Sequence, residues 1–470
     1  MATRMERDAL GERELPADVY WGLQTLRAQE NFPISGITEP PVMIEAYVLL
    51  KKAAAQANTE LGLLPENIGR AIIQAADEIL QGNLRDQFPT DIFHQGAGTS
   101  FHMNVNEVLA NRAIEILGGQ KGDYSMVNPN DHPNFGQSTN DTFPTAMRIA
   151  TRLALRELFP ALDALTEAFA QKGREFDHVL KSGRTHLQDA VPIRLGQEFA
   201  AYAATLRKCR RVLEFAAEAI EELGIGGSAV GTGLNTHPKY RFRVVELLRE
   251  WTGLPFRPAD DLREAMQSQM PIQLVGSALR TLALELTRIV NDLRLLSSGP
   301  LTGFAEITLP AVQPGSSIMP GKVNPVICES VMMVCAQVMG NDLAVTLGNQ
   351  HGNFQLNVML PLIAHNLLQS ITILGNAAQV LADKAVAGFI VNRERIAEAV
   401  GKNPILVTAL NPVIGYDRAA QIAKRAYAEG RSLKEVALEM TDLSAEELDR
   451  LLDPRPMTEG GIVGKGGEGG

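Results

Sequence analysis

Apolar residues recur at three- and four-residue spacing along most of the chain, the mark of amphipathic helices rather than strands. The first clear pattern covers about 42–62, where Ile44, Val48, Leu49 and Ala53 fall on one helical face. A second follows at about 66–82. Much longer patterns run over roughly 142–180, 192–223 and 262–297. The last carries Leu274, Ala278, Leu282, Leu284, Ile289, Leu293 and Leu296. A periodic stretch of ~35 residues exceeds the usual globular helix. Several together predict a bundle whose apolar faces are covered by partners, from the same chain or from another. Further helices are predicted at about 325–345 and 356–390. The expected fold class is therefore all-α in the main.

The pattern breaks at places rich in Gly, Pro and small polar residues. Residues 1–40, with Pro16, Pro33 and Pro40, read as irregular with short elements. A second break spans Asp86–Asn104 and contains Gly96, Gly98, Thr99 and Ser100. A third, Asn128–Asp141, ends in Ser138, Thr139 and Asn140. A fourth, Ser182–Ala190, lies between two long helices and holds Thr185 and His186. The fifth is Gly315-Ser316-Ser317-Ile318-Met319-Pro320-Gly321-Lys322-Val323-Asn324-Pro325. From about 396 the helices shorten and carry more charge, with breaks at Asn403-Pro404 and Asn411-Pro412. The tail from Glu459 is Gly-rich and expected to be disordered.

Composition narrows the possibilities. At 470 residues the chain can form two or three domains. Its 45% hydrophobic and 21% charged content is ordinary for a globular protein. A net charge of −10 argues against nucleic acid as a partner, but not against a small anion in a local cationic pocket. Cys209, Cys328 and Cys335 are too few and too scattered for a disulfide framework or a zinc ribbon, so a cytoplasmic compartment is expected. The N-terminus has no apolar h-region of a secretory signal. No window reads as a membrane span free of polar interruptions, so no membrane partner is expected. Neither a nucleotide loop nor a metal-ligand cluster is evident, so neither cofactor nor metal is expected.

The fifth break is the richest in chemistry. Gly315 and Gly321 permit unusual backbone angles. Two hydroxyls, an ammonium and an amide stand within nine residues of one another. Lys322 offers a point charge for a carboxylate, Asn324 can donate and accept, and loop N–H groups can hold an oxyanion. The other breaks admit blander readings. Thr99 follows a glycine turn and fits a helix cap, Ser138–Asn140 fit the cap of the next helix, and a lone histidine such as His186 is more often structural.

The loop resembles the signature of the fumarase/aspartase superfamily, matching GSSxMPxKxNP at every defined position. The resemblance extends to Gly96–Asn104, to Ser138-Thr139-Asn140, to Gly183-Arg184-Thr185-His186-Leu187-Gln188-Asp189-Ala190 and to Gly231-Thr232-Gly233-Leu234-Asn235, and covers nearly the whole chain. It implies a homotetramer with active sites shared between subunits and four subunits pooling long helices into a central bundle. It implies three domains, here 1–140, 141–395 and 396–470. By position Ser316 is the catalytic base, and Glu329 pairs with His186 and tunes its charge. Thr99, Ser138, Thr139, Asn140, Thr185, Lys322 and Asn324 are the residues implied to bind a small dicarboxylate, and the Gly231–Asn235 turn the segment that shapes the floor. The implied reaction is anti elimination from a succinyl skeleton through an aci-carboxylate. A non-catalytic scaffold of the same fold would not require this set of residues.

Two positions depart from the family pattern. His102 stands where Asn is usual, and Leu301 where relatives often carry Arg. The leaving group is divided between two branches. Gln24–Ala28, Gly96–Ser100, Lys121–Tyr124 and Gln137–Asn140 look more like aspartases, and Asn128 replaces a His common in fumarases. Gly352–Asn357 and much of the C-terminal part look more like fumarases. The balance favours ammonia over water.

Overall fold

The computed structural model describes residues 2–462. Of the tail expected to be disordered, residues 463–470 lie outside the described part. Helices dominate, and every strand among the described residues belongs to a two-stranded pair.

The N-terminal segment is more ordered than its prolines suggest. Strands β1 (Thr3–Asp8) and β2 (Gly11–Pro16) form an antiparallel hairpin, and helix α1 (Leu23–Asn31) follows. Helices α2 (Pro41–Glu60) and α3 (Glu66–Leu80) sit close to the ranges their periodicity predicts. Pro41 occupies the first turn of α2, where its missing N–H costs nothing. Helix α4 (Thr99–Ile116) starts earlier than expected, so Thr99 opens a helix instead of lying in a loop. Helix α5 (Thr139–Glu175) likewise takes in Thr139 and Asn140 as its first residues.

The stretch 182–190, expected as a plain connection, is a second antiparallel hairpin, β3 (Leu180–Thr185) with β4 (Gln188–Arg194). It lacks the alternating apolar residues that announce a half-buried strand, which is why periodicity misses it. Helix α6 (Leu195–Ala219) and helix α7 (Tyr240–Thr252) come next. The predicted 262–297 helix is two. Short α8 (Leu262–Gln267) is capped by the Asp261 carboxylate, and Ser268-Gln269 separates it from α9 (Met270–Leu296). Helices α10 (Val326–Asn349) and α11 (Leu360–Leu381) complete the long set.

By length and composition alone α10 is apolar enough to cross a membrane, unlike the sequence expectation, and 39% of that apolar window is buried. It nonetheless carries polar anchors. The Asn341 amide donates to Gln369 and to Ser370 on α11, and Asp342 pairs with Arg280 on α9 at 2.8 Å.

The chain packs as two compact units, each drawn from three segments. The first comprises 1–160, 209–284 and 334–376; the second comprises 161–208, 285–333 and 377–470. All the segment boundaries fall inside long helices. Within the first unit, α2, α3 and α4 enclose a core that includes Ala55, Ile72, Ala110 and Ile114. Within the second, short C-terminal helices enclose Leu410, Ile422, Val436 and Leu448. Two of those helices begin in reciprocal capping boxes, Ser432 with Glu435 and Ser444 with Glu447.

Candidate active site

In the first unit the starts of α4 and α5 meet. Gly98 precedes α4 with φ +99, and a Cβ there would lie 2.0 Å from the Phe143 ring of α5. Only glycine allows that approach. No side chain caps α4, and a short 3-10 turn, Gly96–Gly98, leads directly into it. Thr99 is half-buried, and His102, one turn later, is buried. His102 Nδ1 lies 2.7 Å from Thr139 Oγ1, which ties the two helix starts together.

Ser138 behaves partly as the cap expected of it. Its hydroxyl accepts the Asn140 N–H at 3.2 Å. Asn140 Nδ2 donates to the Ala229 carbonyl at 2.8 Å, which leaves the amide oxygen for another partner. Beneath them the Gly231–Asn235 turn holds Gly231, Gly233 and Asn235 at positive φ. The same region binds Asp141, whose carboxylate accepts N–H groups from Ser138, Gly226 and Ser228 at 2.9–3.0 Å. Burial raises Asp141 to about 6. Lys51 Nζ, fully buried, lies 2.7 Å from His102 Nε2. Burial lowers both Lys51 and His102 well below their ordinary ranges, and the Asp141 charge offsets part of the Lys51 shift.

The second unit carries the remaining candidates. Thr185 pairs with Gln188 across a two-residue turn made of His186 and Leu187, both at positive φ. Such a turn is normally built from Gly or Asn, so the hairpin holds an exposed His186 in a conformation that costs energy. Its base is fixed firmly. Buried Glu306 pairs with Lys181 at 2.7 Å and with Arg184 at 2.6 Å, while Arg184 stacks on Phe304. The Asn403 amide donates to Ser182 and to the Ala190 carbonyl.

The Gly315–Pro325 loop closes on itself. The Gly315 N–H donates to the Lys322 carbonyl at 2.9 Å, and Asn324 Nδ2 donates to the Gly315 carbonyl at 2.6 Å. A Cβ at Gly315 would lie 2.5 Å from the Lys322 carbonyl oxygen. Inside the loop the Ser316 hydroxyl accepts N–H groups from Ile318 and Met319 at 3.2 and 3.0 Å. Two N–H donors aimed at one oxygen favour negative charge on it. Lys322 is exposed, and Glu329 lies half-buried in the first turn of α10. Among the described residues no hydrogen bond or ion pair joins His186 to Glu329 within the chain.

These candidates can be set against known proteins. Residues 11–340 match the family described as Lyase, and residues 406–459 match the one described as Fumarase C C-terminus. A class II fumarate hydratase from Thermosynechococcus vestitus is 51% identical over 449 residues, 95% of this chain and 96% of its own. An aspartate ammonia-lyase from Bacillus subtilis is 48% identical over 462 residues, 98% of this chain and 97% of its own. The chain belongs to the fumarase/aspartase superfamily. Solved structures agree. The fumarate lyase:delta crystallin from Brucella melitensis, bound to cobalt, is similar with a TM-score of 0.94 at 49% identity, covering 97% of this chain and 99% of that one. A class II fumarase from Schistosoma mansoni reaches 0.93 at 38% identity, with the same coverage.

Around the candidate residues lie others that the motifs do not announce. Lys51 was legible in principle, since it falls on the apolar face of α2 three residues after Val48, where a lysine must find partners. Asp141 closes the Ser-Thr-Asn-Asp run but serves the backbone beneath it. Arg184 and Glu306 hold the hairpin, and only the fold brings those two together. Of the two departures, Leu301 is 88% exposed, whereas His102 sits at the junction of α4 and α5. Among the described residues no three His, Cys, Asp or Glu side chains gather as a metal site.

Proposed function

We propose that this lyase catalyses the reversible anti elimination of ammonia from L-aspartate to give fumarate. The observation that carries this is where the aspartase-like runs fall. Gly96–Ser100 and Gln137–Asn140 form the starts of α4 and α5, which carry Thr99, Ser138, Thr139 and Asn140. Relatedness at 48% to the Bacillus subtilis aspartate ammonia-lyase supports the same reading.

In this reaction Ser316 Oγ takes the Cβ proton. The electron pair left behind spreads into the adjacent carboxylate, and the Cα–N bond then breaks to release ammonia. The Ile318 and Met319 N–H groups lower the cost of a charged Ser316 oxygen. Lys322 and Asn324 face the extra charge on the reacting carboxylate. Thr99, Ser138, Thr139 and Asn140, with Thr185 and His186, hold the other carboxylate and the amine. Glu329 sets the charge of His186.

The candidate groups are spread over separate parts of one chain, so the site is proposed to be completed between subunits of a homotetramer. Exposed apolar side chains on the long helices, among them Phe215, Leu284, Met333 and Leu343, supply faces for that assembly. The proposed domain division remains 1–140, 141–395 and 396–470, and the proposed compartment is the cytoplasm.

A second reading, hydration of fumarate to L-malate, is favoured by relatives called class II fumarate hydratase at 51 and 52% identity. The test is ultraviolet absorbance of fumarate formed by purified protein from L-aspartate and, separately, from L-malate. Fumarate from aspartate with equimolar ammonia and little from malate supports the first reading. Fumarate from malate alone overturns it in favour of the second.

A further inference from the structure

His102 replaces the family's usual Asn, and its surroundings give the replacement a direction. Lys51 Nζ has four neighbours: His102 Nε2 at 2.7 Å, Gln137 Oε1 at 2.9 Å, Asn134 Oδ1 at 3.1 Å and the Pro133 carbonyl at 3.4 Å. The Gln137 amide is fixed in orientation, because its Nε2 donates to the Pro133 and Phe135 carbonyls. Its oxygen therefore faces Lys51 as an acceptor. A lysine ammonium has three protons and no acceptor. The three shortest contacts match those three protons, and one of them falls on His102 Nε2. The nearby Asp141 carboxylate, held by three N–H groups, offsets part of the cost that burial places on that positive charge.

Once Nε2 accepts, a neutral imidazole must carry its proton on Nδ1. That proton points at Thr139 Oγ1, 2.7 Å away. The Thr139 oxygen is then an acceptor for His102, and its own hydroxyl proton is released for another partner. Thr139 makes no other side-chain hydrogen bond among the described residues. Tyr47 holds the imidazole plane by stacking, with ring centroids 5.4 Å apart, and is itself fixed by Thr142 at 2.8 Å. The relay is buried from end to end. An asparagine in place of His102 could complete the same relay only with its oxygen toward Lys51 and its N–H toward Thr139.

We propose that Lys51 and His102 are positioning residues that fix the Thr139 hydroxyl as an obligate hydrogen-bond donor toward a substrate carboxylate. This rests on the proposed contact of Thr139 with substrate. The consequence is a site biased toward an acceptor-only group at that point and against the ammonium of the amino acid. The amine is thereby directed to the opposite side of the substrate.

The direct test is nuclear magnetic resonance of the full-length protein labelled with 15N-histidine. The His102 signals are assigned by their loss in His102→Asn. The expected result is a neutral ring protonated at Nδ1. A ring protonated at Nε2, or at both nitrogens, overturns the proposal. Because this readout needs no turnover, it is separate from the failure of either proposed reaction. The second test is kinetic. His102→Leu removes the donor and should raise KM about tenfold while kcat stays within about threefold, the pattern of a contact equal in ground and transition states. His102→Asn, which can still donate, should bring KM back to within about threefold of the parent. An unchanged KM in His102→Leu, or no recovery in His102→Asn, would show that the ring serves only packing.

Discussion

Ser316 sits where its own loop prepares it. Its oxygen receives two backbone N–H groups, which would meet part of the cost of an alkoxide if Ser316 is the base as proposed. Ser316→Ala should lower kcat by about 10²–10⁴-fold, the range of a lost proton-transfer group. Thermal stability should stay unchanged, because the N–H groups it leaves behind can reach water. Near-normal turnover in this variant would remove Ser316 as the base. Asn140 makes a different point about single residues. Its amide nitrogen is committed to the Ala229 carbonyl, which leaves its oxygen for another partner. Asn140→Asp keeps that oxygen but loses the anchor and adds a charge beside a carboxylate substrate. It should raise KM by at least about tenfold, measured by initial rates of fumarate formation.

Two elements depend on residues outside themselves. The exposed hairpin β3–β4 carries Thr185 and His186 on a turn of unfavourable backbone geometry, and Glu306 holds its base through Lys181 and Arg184. Glu306→Ala leaves two cations without this partner, although Lys181 keeps Glu198. Denaturant unfolding should show a loss of about 3 kcal/mol, with reduced turnover because His186 is no longer held. Helix α1 is capped from a distance. Glu107 on α4 accepts the N–H groups of Gly22, Gln24 and Thr25 and the Thr25 hydroxyl. Burial nevertheless raises its carboxyl from 4.5 to about 7. A pKa raised by folding means that the folded state favours the protonated form. The resulting stability is complete below about 4.5 and fades as pH rises through about 7. In Glu107→Gln that dependence disappears. The stability of the parent relative to the variant should therefore fall across this window, by up to about 1.4 kcal/mol per pH unit. A flat difference from pH 5 to 7.5 would contradict it.

At the scale of the whole molecule, the division of the candidate groups between two compact units matters most. Thr99, His102, Thr139 and Asn140 belong to one compact unit, whereas His186, Ser316, Lys322 and Glu329 belong to the other. If sites are completed between subunits, coexpressed Ser316→Ala and Asn140→Ala chains should recover activity that neither variant has alone, because mixed tetramers then contain some sites with no altered residue. Light scattering after size exclusion should give about four times the 51.0 kDa chain mass. A monomer that turns over substrate would refute both expectations. The exposed apolar side chains of α6, α9 and α10 are the surfaces such an assembly would cover.

Periodicity was enough to place most of the long helices, since each must bury an apolar stripe and the stripe is written locally, but it ran α8 and α9 together and carried α11 past its end at Leu381. The Gly-, Pro- and hydroxyl-rich breaks drew attention to the segments that hold Ser316, Thr99, Thr139 and His186, but outside the Ser316 loop they admitted bland readings, and the family resemblance alone supplied roles for those residues. Other features depend on neighbours far along the chain and were decided only by the tertiary structure. The hairpin at 180–194 exists because Glu306 and Asn403 fasten it, not because its own residues alternate. The start of α4 can approach α5 only because Phe143 meets a glycine. His102 read as an unexplained exception until Lys51, Gln137 and Thr139 surrounded it. Hydrophobic spacing is a property of short segments, whereas the direction of a buried hydrogen bond depends on every group that closes around it.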